Sequence, residues 1–202
     1  MNKFALFQNS KKIYWSVNKI YYLTLFCILG LGYISQEIFK PIGVIFQWLA
    51  IIVMISGLYF KLRGLTQVEP LRGKLEGYLV FEKESIIING KSYLLDQISK
   101  FKLTNDDYIG KIIHTSKGNI GPALSNGTNN SIIIFLKSKE TIQIQFELIN
   151  SNDFQNIRTT LIEYYLKTKI DFEEIANILG AKNRSEIRKL KEEITQISIG
   201  KP

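Results

Sequence analysis

Two apolar runs in the first third of the chain constrain it more than any other feature. Ile20 to Gln36, "IYYLTLFCILGLGYISQ", is 17 residues without a charge, and Pro41 to Phe60, "PIGVIFQWLAIIVMISGLYF", is 20. At the 1.5 Å rise of an α-helix the second covers about 30 Å, the hydrocarbon thickness of a bilayer. The first is near the lower limit for a span, and Tyr14, Trp15, Tyr21 and Tyr22 cluster at its start, where amphipathic rings suit a headgroup boundary. Helices buried in a soluble protein would show a polar face over this length. A cleaved signal peptide would carry a small-residue cleavage pattern and would not run straight into a second apolar stretch. The two runs predict a transmembrane hairpin over 20–60, with spans at 20–36 and 41–60.

Charge sets its orientation. Lys3, Lys11, Lys12 and Lys19 precede the first run, and Lys61, Arg63, Arg72 and Lys74 follow the second, while the connecting "EIFK" carries one charge of each sign. The positive-inside rule puts both termini in the cytoplasm of an inner-membrane, multi-pass protein. Pro41 is suited to the first turn of the second helix, where its missing N–H is not needed. Gly43, Gln47, Ala50, Met54 and Gly57 recur at steps of four and three, which predicts one face for close packing, with Gln47 bonded across the pair. Neither run contains an ionisable Asp, Glu, Lys or Arg, so the relay residues that mark transport pathways are missing.

Beyond a linker at 61–73 the period changes to two. In "SIIINGKSYLL", Asn89-Gly90 separates two β-branched or aromatic runs, and a type I′ hairpin turn needs positive φ at both of those places. A second hairpin follows: Ile132, Ile134 and Leu136 alternate on one arm, and Ile142, Ile144, Phe146 and Leu148 on the other, with Gln143, Gln145 and Glu147 toward water. Such a sheet must cover its apolar face. Behind a start signal at Ser151 or Asn152, the spacing of Phe154, Ile157, Leu161 and Tyr164 or Tyr165 predicts the covering helix. Roughly six or seven strands ending in one helix form a compact solution for 74–168.

This order of elements, with texture such as "IIINGKSYLLDQISKFKL", resembles bacterial membrane proteins that carry a pleckstrin-homology-like (PH-like) domain behind a transmembrane hairpin. The resemblance covers Ile20 to Lys167. It implies an α+β fold: a helical hairpin in the membrane, then an antiparallel β barrel or sandwich capped by a helix, serving as a binding or scaffolding module. Phosphoinositide readers of that family use clustered basic residues at the first hairpin. Here that turn offers Lys83 between Glu82 and Glu84, a departure from the pattern.

Between the hairpins, "NDDYIGKIIHTSKGNIGPALSNGTNN" reads as a long polar loop with an edge strand near "KIIH". "GPALSNGT" lacks the Lys of a phosphate loop. Asp106 and Asp107 are adjacent, so on an extended chain they point apart and suit a turn better than a paired-carboxylate site. His114, beside a β-branched run, is expected to face solvent. With one histidine and one cysteine, Cys27, the chain has no His-rich or Cys-based metal cluster and no internal disulfide. Neither a cofactor nor a catalytic constellation is expected.

The C-terminal segment 169–202 contains "DFEEIANILGAKNRSEIRKL", which predicts a short helical hairpin. Asp171 and Glu174 are spaced as a capping box, and Gly180 suits a left-handed helix end. Its "EIANILG" opening is similar to bacterial helix-turn-helix domains, in which Arg184, Arg188, Lys189 and Lys191 would meet DNA phosphates. Yet Glu186 stands where that pattern wants an apolar residue, and Glu192 and Glu193 interrupt the cations. The leading expectation is a non-enzymatic membrane protein whose cytoplasmic domain binds a protein partner or lipid headgroups, alone or as a homo-oligomer. The alternative is a membrane-anchored regulator touching DNA through its C-terminus.

Overall fold

The computed structural model describes residues 3–113 and 118–200, and His114 lies outside the described residues. The chain folds as α+β in two compact units. A β unit comprises residues up to 10, 73–109 and 126 onward, and a helical unit comprises 11–72 and 110–125.

In chain order the elements are β1 Lys3–Asn9, α1 Val17–Ile38, α2 Lys40–Gly64, β2 Gly73–Phe81, β3 Ser85–Ile88, β4 Lys91–Leu94, β5 Ile98–Thr104, β6 Ile109–Ile112, β7 Leu124–Asn126, β8 Asn130–Leu136 and β9 Thr141–Phe146. A 3-10 turn at Asp153–Ile157 leads into α3 Arg158–Leu166, followed by α4 Phe172–Ile178 and α5 Arg184–Ile199. Seven strands form an antiparallel sheet in the order β4-β3-β2-β1-β9-β8-β5, and β6 pairs with β7 separately.

The predicted hairpins form as their chemistry requires. Asn89 and Gly90 take φ of 49° and 82°, the left-handed pair of a type I′ turn joining β3 to β4. In the β8–β9 hairpin Ile132 faces Ile144 and Ile134 faces Ile142, and both β8 isoleucines are fully buried.

One strand departs from the sequence reading. The sequence predicts a cytoplasmic N-terminal segment over 1–19 and no strand in it, whereas Lys3–Asn9 is the central strand of the sheet, paired to β2 on one side and to β9 on the other. Its alternation explains why: Phe4 and Leu6 are buried, Lys3 is exposed, and Ala5 and Phe7 are half-buried.

The core lies on one face of this sheet. Phe154, Ile157, Leu161 and Tyr164 are all buried against it, at the helical spacing expected. The Phe4 and Phe154 rings stack at 4.8 Å, and Phe81 and Phe146 meet Phe154 edge-on at 6.0 Å. Each such fully buried ring contributes about 1.5–3 kcal/mol relative to exposure. Asn152, one of the two expected start residues, is the N-cap of the 3-10 turn but makes no side-chain cap bond; the chain entering it is held by Asp153, whose Oδ2 accepts from the N–H groups of Ile149 and Asn150 at 3.0 and 2.8 Å.

The C-terminal helices belong to the same core. Ile175, Ile178, Leu179 and Leu190 are buried in the cluster that holds Phe101 and Ile134. They close the free edge of β5: the Phe101 N–H donates to Lys169 O at 2.9 Å, the Leu103 N–H to Glu174 Oε1 at 2.6 Å, and Asn105 Nδ2 to Ile178 O at 3.0 Å. An exposed edge is a template for unwanted pairing, and here it is covered. The predicted Asp171–Glu174 capping box does not form, because Asp171 pairs with Lys100 at 2.8 Å and Glu174 serves β5. The capping box belongs to α5, where Asn183 accepts from the Glu186 N–H at 2.9 Å and Glu186 accepts in return from the Asn183 N–H at 3.2 Å. Gly180 takes the expected left-handed conformation at φ 71°.

Candidate functional site

The helical unit is the part of the chain whose surface calls for a partner. α1 and α2 are long and apolar enough to cross a membrane, at 22 and 25 residues. They pack as an antiparallel hairpin, with Pro41 in the first turn of α2. On α1 the seam runs through Tyr21, Leu25, Ile28, Gly32 and Ser35, and on α2 through Gly43, Phe46, Ala50, Val53 and Gly57. Both alternate steps of three and four, the spacing of interdigitating helices at a shallow crossing angle.

Small residues at every seventh place let the backbones approach. A Cβ on Gly43 would collide with Gln36, and one on Gly57 with the Tyr21 ring. Because Gly57 leaves that space, Tyr21 crosses the seam and its hydroxyl donates to Val53 O at 2.9 Å. The structure thus divides the predicted face. Gly43, Ala50 and Gly57 are buried in the seam, whereas Gln47 and Met54 are exposed on the pair. Phe46 and Val53, one residue earlier in each turn, take their places.

Outside the seam, both helices present apolar side chains. Phe26 is 75% exposed, Ile55 66%, Trp48 63% and Leu58 62%.

At the end where α1 begins and α2 finishes, residues 118–124, the described part of the expected long polar loop next to the helices, act as a clasp. Asn18 Nδ2 donates to Asn119 Oδ1 at 2.6 Å, and the Ile120 N–H returns a bond to Asn18 Oδ1 at 2.9 Å. The Tyr22 hydroxyl donates to Gly118 O at 2.6 Å. On the α2 side, the Ala123 N–H donates to Gly64 O at 2.9 Å, and Val68 bridges to Leu124 in parallel. Gly64 is buried, and a Cβ there would strike the Gly121 carbonyl. The clasp residues escaped the sequence reading, although Asn18, a lone amide at the mouth of an apolar run, was a signal.

In the β unit, a cavity of about 360 Å³ opens beside the start of β1, lined by Lys3, Tyr78, Glu147 and Asp153 among others. Lys3 Nζ lies 5.6 Å from the Tyr78 ring centre, and partial burial raises the Glu147 carboxyl above its ordinary value. The cavity therefore carries charges of both signs on a partly apolar floor. Asp107 is buried near the β6 start, where its Oδ2 accepts from the Asn129 N–H at 2.9 Å and Asn130 Oδ1 accepts from its N–H at 3.0 Å. It staples a turn, and its neighbour Asp106 is not brought into a joint site with it.

The four C-terminal cations are exposed but are not a uniform stripe. Arg188 lies 3.5 Å from Glu192, and Lys191 stands 5.2 Å from the Phe172 ring centre, while Arg184 and Lys189 are exposed. On the opposite side of α5, Leu190 is buried and Glu193 holds Arg158 of α3 through two bonds of 3.0 and 2.8 Å. Comparison with protein-family models, with curated proteins and with solved structures finds no match to this chain.

Proposed function

We propose that this is an integral membrane binding protein. In this reading α1 and α2 cross the inner membrane as a hairpin with both ends in the cytoplasm. The β unit is a PH-like module that holds a protein partner, or lipid headgroups, at the membrane surface. The supporting observation is the apolar surface of the hairpin: Phe26, Trp48, Ile55, Leu58 and Tyr33 are each more than half exposed, along the whole length of both helices. Soluble monomers rarely expose apolar patches beyond roughly 300–600 Å², and each Å² left in water costs about 25 cal/mol.

Connectivity supports the topology. Asn9 of β1 pairs with Gly73 of β2, so the hairpin leaves and rejoins the β unit at neighbouring residues, as two ends on one side of a membrane would. A seven-stranded antiparallel sheet closed by a helix supports the PH-like reading. Tethering beside the bilayer raises the effective concentration of any membrane-bound partner, so even a modest surface such as the Lys3–Glu147 cavity suffices for recognition. The DNA reading draws less support, because α4 and α5 spend their apolar faces on the β5 edge and their charges are mixed.

The test is extraction of membranes from cells producing the full chain. Retention after alkaline carbonate, with release by detergent alone, is expected. Recovery in the soluble fraction would overturn the proposal.

A further inference from the structure

Gln47 is a polar residue that the helical hairpin leaves unsatisfied. Pro41 opens the charge-free run of α2, and Gln47 follows six residues later, about 9 Å along the axis, inside a layer about 30 Å thick. Its side chain is exposed on the pair, and among the described residues its amide makes no hydrogen bond. Other polar side chains of the hairpin are satisfied within it. The Ser35 and Ser56 hydroxyls donate to carbonyls of their own helices, Leu31 O and Val53 O, and the Tyr21 hydroxyl donates across the seam. Lipid tails offer an amide no partner, so each group left unpaired there costs far more than in water. The short stem of glutamine does not carry its head to the interface from that depth, as the stem of a lysine does.

The residues in line with it form a row. Val44, Gln47, Ile51, Met54 and Leu58 each follow a seam residue of α2 by one position, and all five are exposed. Their steps of three and four are those of a helix that packs on a second helix at a shallow crossing angle. Lys40 and Lys61 continue the same steps and end the row where the charge-free run stops. One row of α2 is thus spent on α1, and the next is presented to the surroundings. We propose that this row is covered by the same row of a second copy of the chain, with the two Gln47 amides hydrogen-bonded to each other. Both copies enter the membrane from the same side, so a two-fold axis along the membrane normal sets each residue opposite itself at equal depth. An amide suits that axis, because it carries both donor and acceptor and pairs with its own kind. A lone polar residue in such a row also fixes register and the number of helices. This inference rests on the bilayer reading of α1 and α2.

The test is oxidative crosslinking of the purified full chain in vesicles of phosphatidylethanolamine and phosphatidylglycerol, with single cysteines placed in a Cys27→Ser background. Copper phenanthroline should link Ile51→Cys and Met54→Cys into dimers. Leu49→Cys and Ile52→Cys, which are exposed but turned away from the row by the helical step, should stay monomeric. Adding Gln47→Leu to Met54→Cys should raise the protein-to-lipid ratio needed for half-linkage about tenfold, or about 1.4 kcal/mol, on the scale of amide contacts between membrane helices. Gln47→Asn keeps an amide and should recover part of the loss. An excess of detergent micelles separates the copies, so the stability of one hairpin there does not report this contact. Equal linkage at all four positions, or linkage unchanged by Gln47→Leu, would overturn the proposal. Monomers at every position in a chain that stays in carbonate-washed membranes defeat the dimer alone, whereas release from the membrane defeats the bilayer reading beneath it.

Discussion

Tyr164 closes the turn between β2 and β3 from below. Its hydroxyl is shared between the carbonyls of Glu82 and Ser85, the latter at 2.9 Å, and its ring is fully buried against Phe101. Burial first, then the carboxylates of Glu82, Glu84 and Glu163, push its ionisation well above the ordinary 10.0. A raised folded-state value favours the protonated form, so this stability is complete below pH 10.0 and is lost as the pH climbs beyond it. Tyr164→Phe is expected to cost about 1–3 kcal/mol at neutral pH and to blunt the alkaline fall, as read by denaturant melts on both sides of that value. Glu174 offers a second check. Burial raises its carboxyl above 4.5, against the lowering effect of the Leu103 N–H that it accepts. Its protonated form is the favoured one, so that contribution is present below 4.5 and fades as the pH rises through the folded-state value. Glu174→Gln keeps an acceptor without the charge and should match or exceed the wild type at neutral pH. Glu174→Ala strips the acceptor from the β5 edge and should lose about 1–3 kcal/mol. Glu174 also shows where a local motif misleads. Positions 171–174 and 183–186 have the same capping spacing, but only the second forms, because β5 supplies Lys100 and the Leu103 N–H as competing partners some 70 residues away in the chain. Such partners leave no trace in a local window.

At the scale of elements, the seam between α1 and α2 was half legible. Gly43, Ala50 and Gly57 fall every seventh residue, a signal that both the reading and the structure share. Helical spacing alone leaves the neighbours ambiguous, because steps of three and four both return to one face. Polarity favoured Gln47 as a cross-helix donor, but packing selected Phe46 and Val53. The difference is measurable. Ala50→Leu drives bulk into the seam and should destabilise the hairpin by about 1–3 kcal/mol, the cost of overpacking, while Gln47→Leu should leave its thermal stability in micelles unchanged. An equal loss in Gln47→Leu would return Gln47 to the seam. The β hairpins were read more fully, since Asn-Gly turn chemistry and strict alternation are local and have few competing solutions. β1 has the same alternation in "KFALFQN", yet its pairing partners begin 64 residues or more beyond Asn9, across the hairpin, and proximity in sequence pointed elsewhere.

At the scale of the molecule, that strand changes what the N-terminus is for. The helical hairpin is an excursion between two paired strands, β1 and β2, and the chain leaves the β unit a second time after Ile109 to return at Asn126. The chain therefore enters the helical unit twice, and the β unit is complete only when residues from both sides of the hairpin have met. Phe4 touches Phe81, Phe146 and Phe154, joining rings from β2, β9 and the closing turn. A dispensable cytoplasmic tail and a central strand make opposite predictions for its loss. Phe4→Ala should cost about 3–5 kcal/mol, typical of a large ring removed from a packed core. Deleting residues up to Asn9 should be worse, because it leaves β2 and β9 with unpaired edges in the middle of the sheet. Limited proteolysis of the full chain separates the outcomes. A wild-type β unit should resist cleavage as a block, and the truncated chain should be cut within β2 and β9 while its helical hairpin stays uncut. Protease resistance retained after truncation would mean that the sheet closes without β1 and that the segment is a tail after all.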